Sequence, residues 1–305
     1  MKNILKKSTV FIAVSMLLSA QAIAKPSSTI ELIEYPGADN TQAWSINSKG
    51  EVASTSAVSF IYDRKSGGIT EIDNPIGYES LSIFATTESG DKVGSAIDSN
   101  TGRTVGIFIS KKGVVDAFEH PDSAGFTQPR AVNSSGIISG FYSDQATGNF
   151  YGFLFERKNN AFTTIVESAF TISQGINGSG QTVGSAVFLA NNPCNPGAPF
   201  ERFAWVRSQD GNVAYFNIEG FRTSARGIAS NGTIVGFYFD SEGPKGFKIP
   251  MPDTQCAIIS LEEDQRINIP DALGTYPQYI SDNGKIIVGQ IIKEDLNLAG
   301  FVKSK

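Results

Sequence analysis

Histidine, cysteine and basic residues are scarce in this chain. Its 305 residues include one His and two Cys, and 25 Lys and Arg stand against 30 Asp and Glu. A lone His cannot form a multi-histidine metal site, and two Cys allow one disulfide at most. The acidic balance argues against nucleic acid or an anionic membrane as a partner, because clustered positive charge supplies most of the attraction to both.

Long apolar runs are absent beyond residue 24. Before that point, Lys2, Lys6 and Lys7 precede an apolar stretch over residues 10–18 and a small-residue site at residues 22–24, which predicts a secretory signal peptide over 1–24 cleaved after Ala24. Loss of its three lysines takes the formal net charge from −5 to −8. No later segment is long enough to span a bilayer. We therefore expect a bacterial periplasmic or secreted protein with no membrane span.

Helical periodicity is also missing, and a turn pattern recurs in its place. Each copy reads as an apolar residue, Asn or a polar substitute, two small or polar residues, Gly, and an apolar run that ends in Gly or Ser. Asn and Gly at these positions are typical of a hairpin turn. The six copies are SINSKGEVAS from residue 45, ATTESGDKVG from 85, AVNSSGIISG from 131, GINGSGQTVG from 175, GIASNGTIVG from 227 and YISDNGKIIVG from 279.

Each repeat contains four short β-branched or aromatic runs, which predict four strands. The turn glycines are 40 to 52 residues apart, the period of a propeller blade. The sequence therefore predicts one all-β domain over residues 25–305, a six-bladed β-propeller of four-stranded blades. The last repeat lacks its fourth strand, and we expect residues 28–37 to complete that blade beside residues 298–304. An aromatic residue at a shared strand position predicts the core between blades: Phe60, Phe153, Phe203, Phe247 and Phe301.

Written as INxxGxIVGxY, then GFxY, then a run ending in PGA before the next IN, the repeat resembles that of the extracellular HAF-type repeat proteins of bacteria. EYPGADNTQAWSIN near the start of the mature chain is similar to the join between such repeats. The resemblance covers the whole mature chain. It implies a secreted β-propeller and carries over no catalytic residue. The sequence departs from the pattern at Thr87, Ala229 and Ser281, where the turn Asn is replaced, and at Ser54, where the later Gly is replaced.

The two cysteines lie in the two longest insertions of the repeat. Cys194 is within residues 189–201, and Cys256 is within residues 250–263. In an export compartment their pairing predicts a structural disulfide that ties one insertion to the other. The alternative, a redox pair, has neither a CxxC spacing nor a nearby His to support it.

The first strand of each blade carries one position whose chemistry varies. It lies three residues before the turn Asn position, on the strand that usually lines a propeller channel. Variation is typical of a binding surface, and Arg130 and Arg226 could hold an anionic or sugar ligand through planar donors. The alternative is that they pair with neighbouring carboxylates. The six residues are Trp44, Phe84, Arg130, Gln174, Arg226 and Gln278.

His120 and a set of carboxylates are further candidates. His120 could act as a base near neutral pH or bind a ligand, or it could be structural. One carboxylate lies in each connection between blades, and a ring of them could bind calcium, cleave a glycosidic bond, or simply occupy solvated turns. We name Asp39, Asp122 and Asp271 as candidate metal ligands and otherwise expect no cofactor. The full set is Asp39, Glu79, Asp122, Glu167, Glu219 and Asp271.

Two functions fit these features. The first is a secreted, monomeric, non-catalytic binding propeller that presents one face of the ring to a glycan, peptide or surface protein. The alternative is an extracytoplasmic hydrolase or lyase acting on a polysaccharide or other polar substrate at the channel mouth. Propellers host both classes, and the lack of clustered His, Cys or nucleophile motifs favours the first.

Overall fold

The computed structural model describes residues 29–189, 192–195 and 201–304. In these ranges the regular structure is β-strand apart from one short 3-10 helix, Glu263–Gln265. None of the described helical structure is long and apolar enough to cross a membrane. The predicted signal peptide and its cleavage site lie outside the described residues.

Antiparallel pairing groups the strands of the described chain into six units of four strands each, and single parallel bridges join units 2, 3 and 4 into one larger sheet. We number the units 1 to 6 in the order of their first strands. The first strands are β2 (Gln42–Ile46), β6 (Tyr78–Thr86), β10 (Ser123–Val132), β14 (Phe170–Ile176), β18 (Thr223–Ile228) and β23 (Gly274–Ile280). The second strands are β3 (Glu51–Thr55), β7 (Lys92–Asp98), β11 (Ile137–Asp144), β15 (Thr182–Phe188), β19 (Ile234–Asp240) and β24 (Ile286–Ile292).

The outer half of each unit consists of its third and fourth strands. The third strands are β4 (Ser59–Asp63), β8 (Thr104–Ile109), β12 (Phe150–Glu156), β16 (Glu201–Arg207), β20 (Gly243–Ile249) and β25 (Leu298–Ser304). The fourth strands are β5 (Gly68–Ile72), β9 (Val115–Phe118), β13 (Ala161–Ile165), β17 (Val213–Ile218), β22 (Arg266–Ile267) and, in unit 6, the N-terminal β1 (Thr29–Ile33).

The six first strands form a closed ring. Each contacts the first strand of the next unit, and β23 of unit 6 contacts β2 of unit 1. The N-terminal strand completes the last unit, because β1 pairs antiparallel with β25 and Leu32 lies opposite Phe301. Closure by the N-terminal strand is therefore confirmed, and it leaves unit 6 with four strands like the others.

The antiparallel order gives the ring two distinct ends. The turns between first and second strands, and between third and fourth strands, lie at one end, which we call the turn end. The other end carries the loops between second and third strands and the connections from one unit to the next. We call it the connection end.

All six predicted turns form, including those without Asn. In each, the turn Gly donates its N–H to the carbonyl three residues earlier, as Gly180 does to Asn177 at 3.0 Å. The same bond forms at the substituted positions Thr87, Ala229 and Ser281. The turn glycines have φ between +71° and +91°, where other residues are strained. The backbone geometry thus tolerates loss of the Asn side chain.

Aromatic rings fill the interior of the units. Phe60, Phe153, Phe247 and Phe301 are fully buried, as predicted. Phe203 is buried too, but the expected strand position is wrong in unit 4. Trp205 lies opposite Gly184 there, just as Phe247 lies opposite Gly236 in unit 5. The larger indole takes the ring position, and Phe203 packs beside it against Phe188 and Tyr215.

The two insertions meet at the outer edge of unit 4. Part of the second insertion forms β21 (Cys256–Ile259), which leaves unit 5 and adds a fifth, parallel strand to β17. Cys194 and Cys256 form a disulfide with 5.5 Å between their Cα atoms. The predicted staple is confirmed, and it holds the crossover strand against the neighbouring unit.

Candidate functional site

A β-bulge interrupts the first strand of every unit. Close to the turn, the pairing of first with second strands shifts by one residue in every unit, for example between Ala225 and Gly227. Units 2 and 3 have a second irregularity nearer the start of the first strand. The extra residue of a bulge is unpaired, and the local bend re-aims its side chain. The six extra residues are those that the sequence singles out by their variation: Trp44, Phe84, Arg130, Gln174, Arg226 and Gln278.

A glycine on the second strand accompanies the bulge. A Cβ atom at Gly236 would lie 2.1 Å from the carbonyl oxygen of Ser224, and one at Gly184 would lie 2.0 Å from that of Ile172. The bulged strand therefore approaches the second strand too closely for a side chain. This explains the Gly that ends the repeated IVG-like run, which Ser54 replaces in unit 1.

The bulge residues of units 1, 2 and 3 meet at the ring axis. The Arg130 guanidinium carbon lies 5.3 Å from the Trp44 ring centroid and 4.7 Å from that of Phe84. Units 1 and 3 are not neighbours in the ring, so their side chains can meet only near its centre. Trp44 and Phe84 pack edge to face at 5.1 Å, and the Trp44 indole N–H donates to the Thr55 hydroxyl at 2.8 Å. That bond fixes the orientation of the indole.

A second aromatic wall faces Arg226. Its guanidinium carbon lies 4.9 Å from the Phe237 ring centroid. Phe237 contacts Tyr276 of unit 6 at 4.8 Å and Phe239 at 5.5 Å. Rings around a guanidinium favour its charge through their quadrupoles, yet they offer it no hydrogen-bond acceptor in the ring plane.

The two axial arginines have no acidic partner among the described residues. Neither makes an ion pair or a side-chain hydrogen bond there, and the Nε atoms of both are buried without a partner. Burial lowers the pKa of Arg130 to about 10. Burial, and then the charges of Arg130 and Arg202, lower the pKa of Arg226 to about 9. The expected alternative, pairing with neighbouring carboxylates, is not found in the described structure.

The glutamines of the ring add neutral polar groups. Gln174 and Gln278 are 7% and 8% exposed. Their side-chain amides make no hydrogen bond to any other described residue. An amide offers two donors and an acceptor. The axis thus combines two guanidiniums, two free amides and aromatic walls. We call the six bulge residues, together with Phe237 and Tyr276, the axis site.

His120 lies outside the axis site. It is 2% exposed, stacks on Tyr142 with 3.6 Å between ring centroids, and accepts the N–H of Asp122 on Nδ1 at 3.2 Å. Its Nε2 is 3.3 Å from the Thr164 hydroxyl. Burial lowers the pKa of His120, although Asp122 and Asp144 oppose the shift. These contacts give His120 a structural role between units 2 and 3.

The carboxylates of the connections do not come together. Asp39, Asp122 and Asp271 are exposed in separate connections, and no group of three His, Cys, Asp or Glu among the described residues could hold a metal. Two others have protein partners: Glu167 accepts the Tyr215 hydroxyl at 2.5 Å, and Glu219 is paired with Arg266. Calcium binding at Asp39, Asp122 and Asp271 therefore stays an untested prediction, without support from a carboxylate cluster among the described residues.

Sequence reasoning missed an acidic depression at the turn end. A cavity of about 450 Å³ opens there, lined in part by Glu88, Tyr279 and Asp282. Burial, and then the charge of Glu88, raise the pKa of Asp282. The signal was present, since both acids lie inside the turn motifs, but only folding shows that turns of units 2 and 6 face each other. The wall aromatics were missed because Phe237 and Phe239 read as ordinary strand residues.

Comparison with known structures supports the fold of the chain but not a specific function. No protein-family model matches the chain, and no curated protein matches it. A putative gluconolactonase matches with a TM-score of 0.52 and 11% identity over 92% of this chain and 93% of the other. The Cps50 (Swd1) β-propeller domain of Myceliophteria thermophila gives 0.48 and 8% over 91% and 99%. A streptogramin B lyase gives 0.45 and 12% over 90% and 97%.

Matches at such low sequence identity are evidence for a shared fold and not for a shared function. The match to the putative gluconolactonase has a TM-score above 0.5 and therefore supports a shared fold. Membership of the HAF-type family stays a prediction, because no finding bears on it. The fold itself is an all-β propeller, as the sequence predicts.

Proposed function

We propose that this protein is an extracytoplasmic, non-catalytic binding propeller whose axis site holds an acidic ligand. The observation that supports this most is the pair of axial arginines, Arg130 and Arg226, which lack an acidic partner among the described residues. A buried charge without a partner is costly. An anion bound between the two guanidiniums would remove that cost and would satisfy their buried Nε atoms.

The chemistry of the site favours a carboxylate attached to an apolar framework. Guanidinium groups donate two parallel hydrogen bonds to a carboxylate. Aromatic walls suit the apolar faces of a sugar or side chain, and a few placed polar groups then fix its orientation. Gln174 and Gln278 supply such groups. A glycan or peptide that carries a carboxylate therefore suits the site better than a neutral ligand.

An oxidising compartment fits the same proposal. The Cys194–Cys256 disulfide is typical of exported proteins. The predicted signal peptide over residues 1–24 points to the same location. A partner presented outside the cytoplasm is thus the one we expect the ring to meet.

Calorimetric titration of the mature chain tests the proposal. Galacturonate, galactose and an acidic dipeptide serve as probes, with wild type, Arg226→Gln and Arg130→Gln compared. We expect galacturonate or the dipeptide to bind and galactose not to bind. Each substitution should weaken binding at least tenfold, because a charge-assisted hydrogen bond contributes about 1.5–3 kcal/mol.

Arg157→Gln is the matched control. Arg157 is ion-paired with Asp116 at 3.0 Å and borders the turn-end depression, so its loss should leave the affinity unchanged. The proposal fails if no acidic probe binds. It fails equally if Arg226→Gln and Arg130→Gln bind as tightly as wild type.

A hydrolase or lyase is the second candidate. The observation in its favour is the acidic pair at the turn end, where Asp282 lies near Glu88 and has a raised pKa. A carboxyl group with a raised pKa beside a second carboxyl group is a typical acid and base arrangement. Analysis of the titrated mixtures for shortened or unsaturated products separates the two functions. Product that disappears in Asp282→Asn would establish the enzyme.

A further inference from the structure

A second pair of arginines lies between the axis and the connection end. Arg222 directly precedes the first strand of unit 5, and Arg202 lies near the start of the third strand of unit 4. Neither makes an ion pair or a side-chain hydrogen bond with a described residue. Burial, and then the charge of Arg222, lower the pKa of Arg202. Two like charges that approach each other without an acid are unfavourable, so an anion shared between them would be stabilising.

A continuous row of contacts joins Arg222 to the axis site. The Arg222 guanidinium carbon lies 5.8 Å from the Phe239 ring centroid. Phe239 is 5.5 Å from Phe237, and Phe237 is 4.9 Å from the Arg226 guanidinium carbon. Tyr276 contacts both rings, at 4.8 and 6.3 Å. Aromatic rings thus connect Arg226 to Arg222, with Phe239 and Tyr276 partly exposed and Phe237 buried between them.

The spacing of these two arginines favours a ligand with two anionic groups. Arg222 and Arg226 are four residues apart on extended chain, which separates their Cα atoms by about 13 Å at about 3.3 Å per residue. Their guanidinium groups lie against different rings, Phe239 and Phe237. A ligand with two anionic groups, joined by a part that covers the exposed ring surface between them, suits this arrangement better than a ligand with a single carboxylate.

We propose that the ligand is an acidic oligosaccharide, a chain of two or more uronate residues that enters the axis from the connection end. This inference rests on the proposed function. The terminal carboxylate binds Arg226 and Arg130, the apolar ring faces of the sugar cover Phe239 and Tyr276, and a following carboxylate binds Arg222 and Arg202.

The charges at the two ends of the ring favour entry of the ligand from the connection end, and they favour a ligand of which only a short segment contacts the protein. The turn end carries Glu88 and Asp282, which repel an anionic chain that would pass through. The whole protein is acidic, with a formal net charge of −5, so a long polyanion would be repelled outside the ring. A chain end inserted among the arginines avoids both effects.

Titrations with galacturonate oligomers of one, two and three residues test the inference. We expect the dimer or trimer to bind at least tenfold more tightly than the monomer. Arg222→Gln should weaken trimer binding about tenfold and monomer binding less than threefold. Arg222 is exposed, so this substitution should leave the fold intact, which the melting temperature checks.

Arg103→Gln is the control for charge alone. Arg103 lies at the same end of the ring but is paired with Glu119 at 2.6 Å, so its loss should change no affinity by more than twofold. Equal affinities for monomer and trimer, with Arg226→Gln still impaired, would overturn this inference and leave the proposed function standing. Absence of binding by every uronate and by the acidic dipeptide would overturn both. A tetraglutamate peptide that binds more tightly than the trimer would replace the sugar with a peptide.

Discussion

The turns and the bulges are two rings of residues that occur once in every unit, and they differ in how their polar groups are satisfied. At the turn end, Asn47, Asn133 and Asn177 each accept two backbone N–H groups from their own turn. Each also donates its amide to the carbonyl at the same position of the next unit, as Asn177 does to Ala229 at 3.0 Å. At the axis, Arg130 and Arg226 make no such bonds among the described residues.

This difference separates structure from function. A polar residue that repeats and has partners in its own and the next unit stabilises the ring. A polar residue that varies between units and lacks a partner has no structural reason to be charged. Buried polar groups without a hydrogen-bond partner are expected at sites that bind a ligand. The bulge ring is therefore the part of the molecule that we connect with binding.

Loss of a turn asparagine should give the largest effect. Asn177→Ala removes two accepted bonds and the amide bond to unit 5 from a residue that is fully buried. The turn itself should persist, because Ala229 occupies the same position in unit 5. We expect the free energy of unfolding, measured by urea denaturation with the disulfide intact, to fall by about 3 kcal/mol.

Asn231→Ala provides the comparison within the next turn. Asn231 is exposed, and within the described part of the chain its side chain accepts only the Thr233 N–H, at 3.0 Å. Its loss should lower the free energy of unfolding by less than about 1 kcal/mol. Equal losses in the two variants would show that the contact between units contributes nothing.

Removal of an axial arginine should increase the free energy of unfolding. Arg226→Met replaces a charge that has no acidic partner in the described structure with an apolar side chain of similar length, and aromatic rings already surround it. Such replacements are neutral or stabilising. Because Arg226 retains some exposure to the channel, we expect the free energy of unfolding to rise by only about 1 kcal/mol in buffer without multivalent anions.

Arg64→Met is the matched control for this increase. Arg64 is paired with Glu31 on the N-terminal strand at 2.9 Å. Its loss should lower the free energy of unfolding by about 0.5–1 kcal/mol. A destabilised Arg226→Met protein would mean that the arginine has a structural role, and it would contradict the contrast between the two rings.

Sequence alone predicted the ring because the ring repeats. The turn Asn and Gly and the four strands recur at a regular spacing. The last repeat lacks its fourth strand, and closure by β1 followed from that absence. It also located the six bulge residues through their variation, without any sign that a bulge was present. The bulge depends on the close approach of two backbones. The only sign of this approach in the sequence is the Gly on the second strand.

Contacts between distant units could not be predicted from the sequence. The shift of Trp205 into the ring position of unit 4 could not be read from RFAWVR, because its two aromatics fit either register. Glu88 and Asp282 come from units 2 and 6, so their proximity follows from the shape of the ring. The carboxylates of the connections were expected to gather, and no group of three among the described residues does so.

His120 offers a third, smaller test, since it is a buried polar side chain that does have partners. Burial lowers its pKa in the folded state, while the unfolded chain takes up the proton near pH 6.5. The unfolded state therefore binds more protons below that pH, and the stability should be complete above about pH 6.5 and decrease as the pH falls through it. Asp122 and Asp144 oppose the shift, so the decrease should be smaller than the effects at either ring.

His120→Phe isolates this contribution, because the chain has no other histidine and Phe keeps the stacking on Tyr142. We expect the urea midpoint of wild type to decrease between pH 7.5 and 5.5 and that of the variant to decrease less. Carboxylates that titrate in this range do so in both proteins, so the difference between them reports the imidazole. Parallel pH profiles would mean that folding does not lower the pKa of His120, and would contradict the effect of burial.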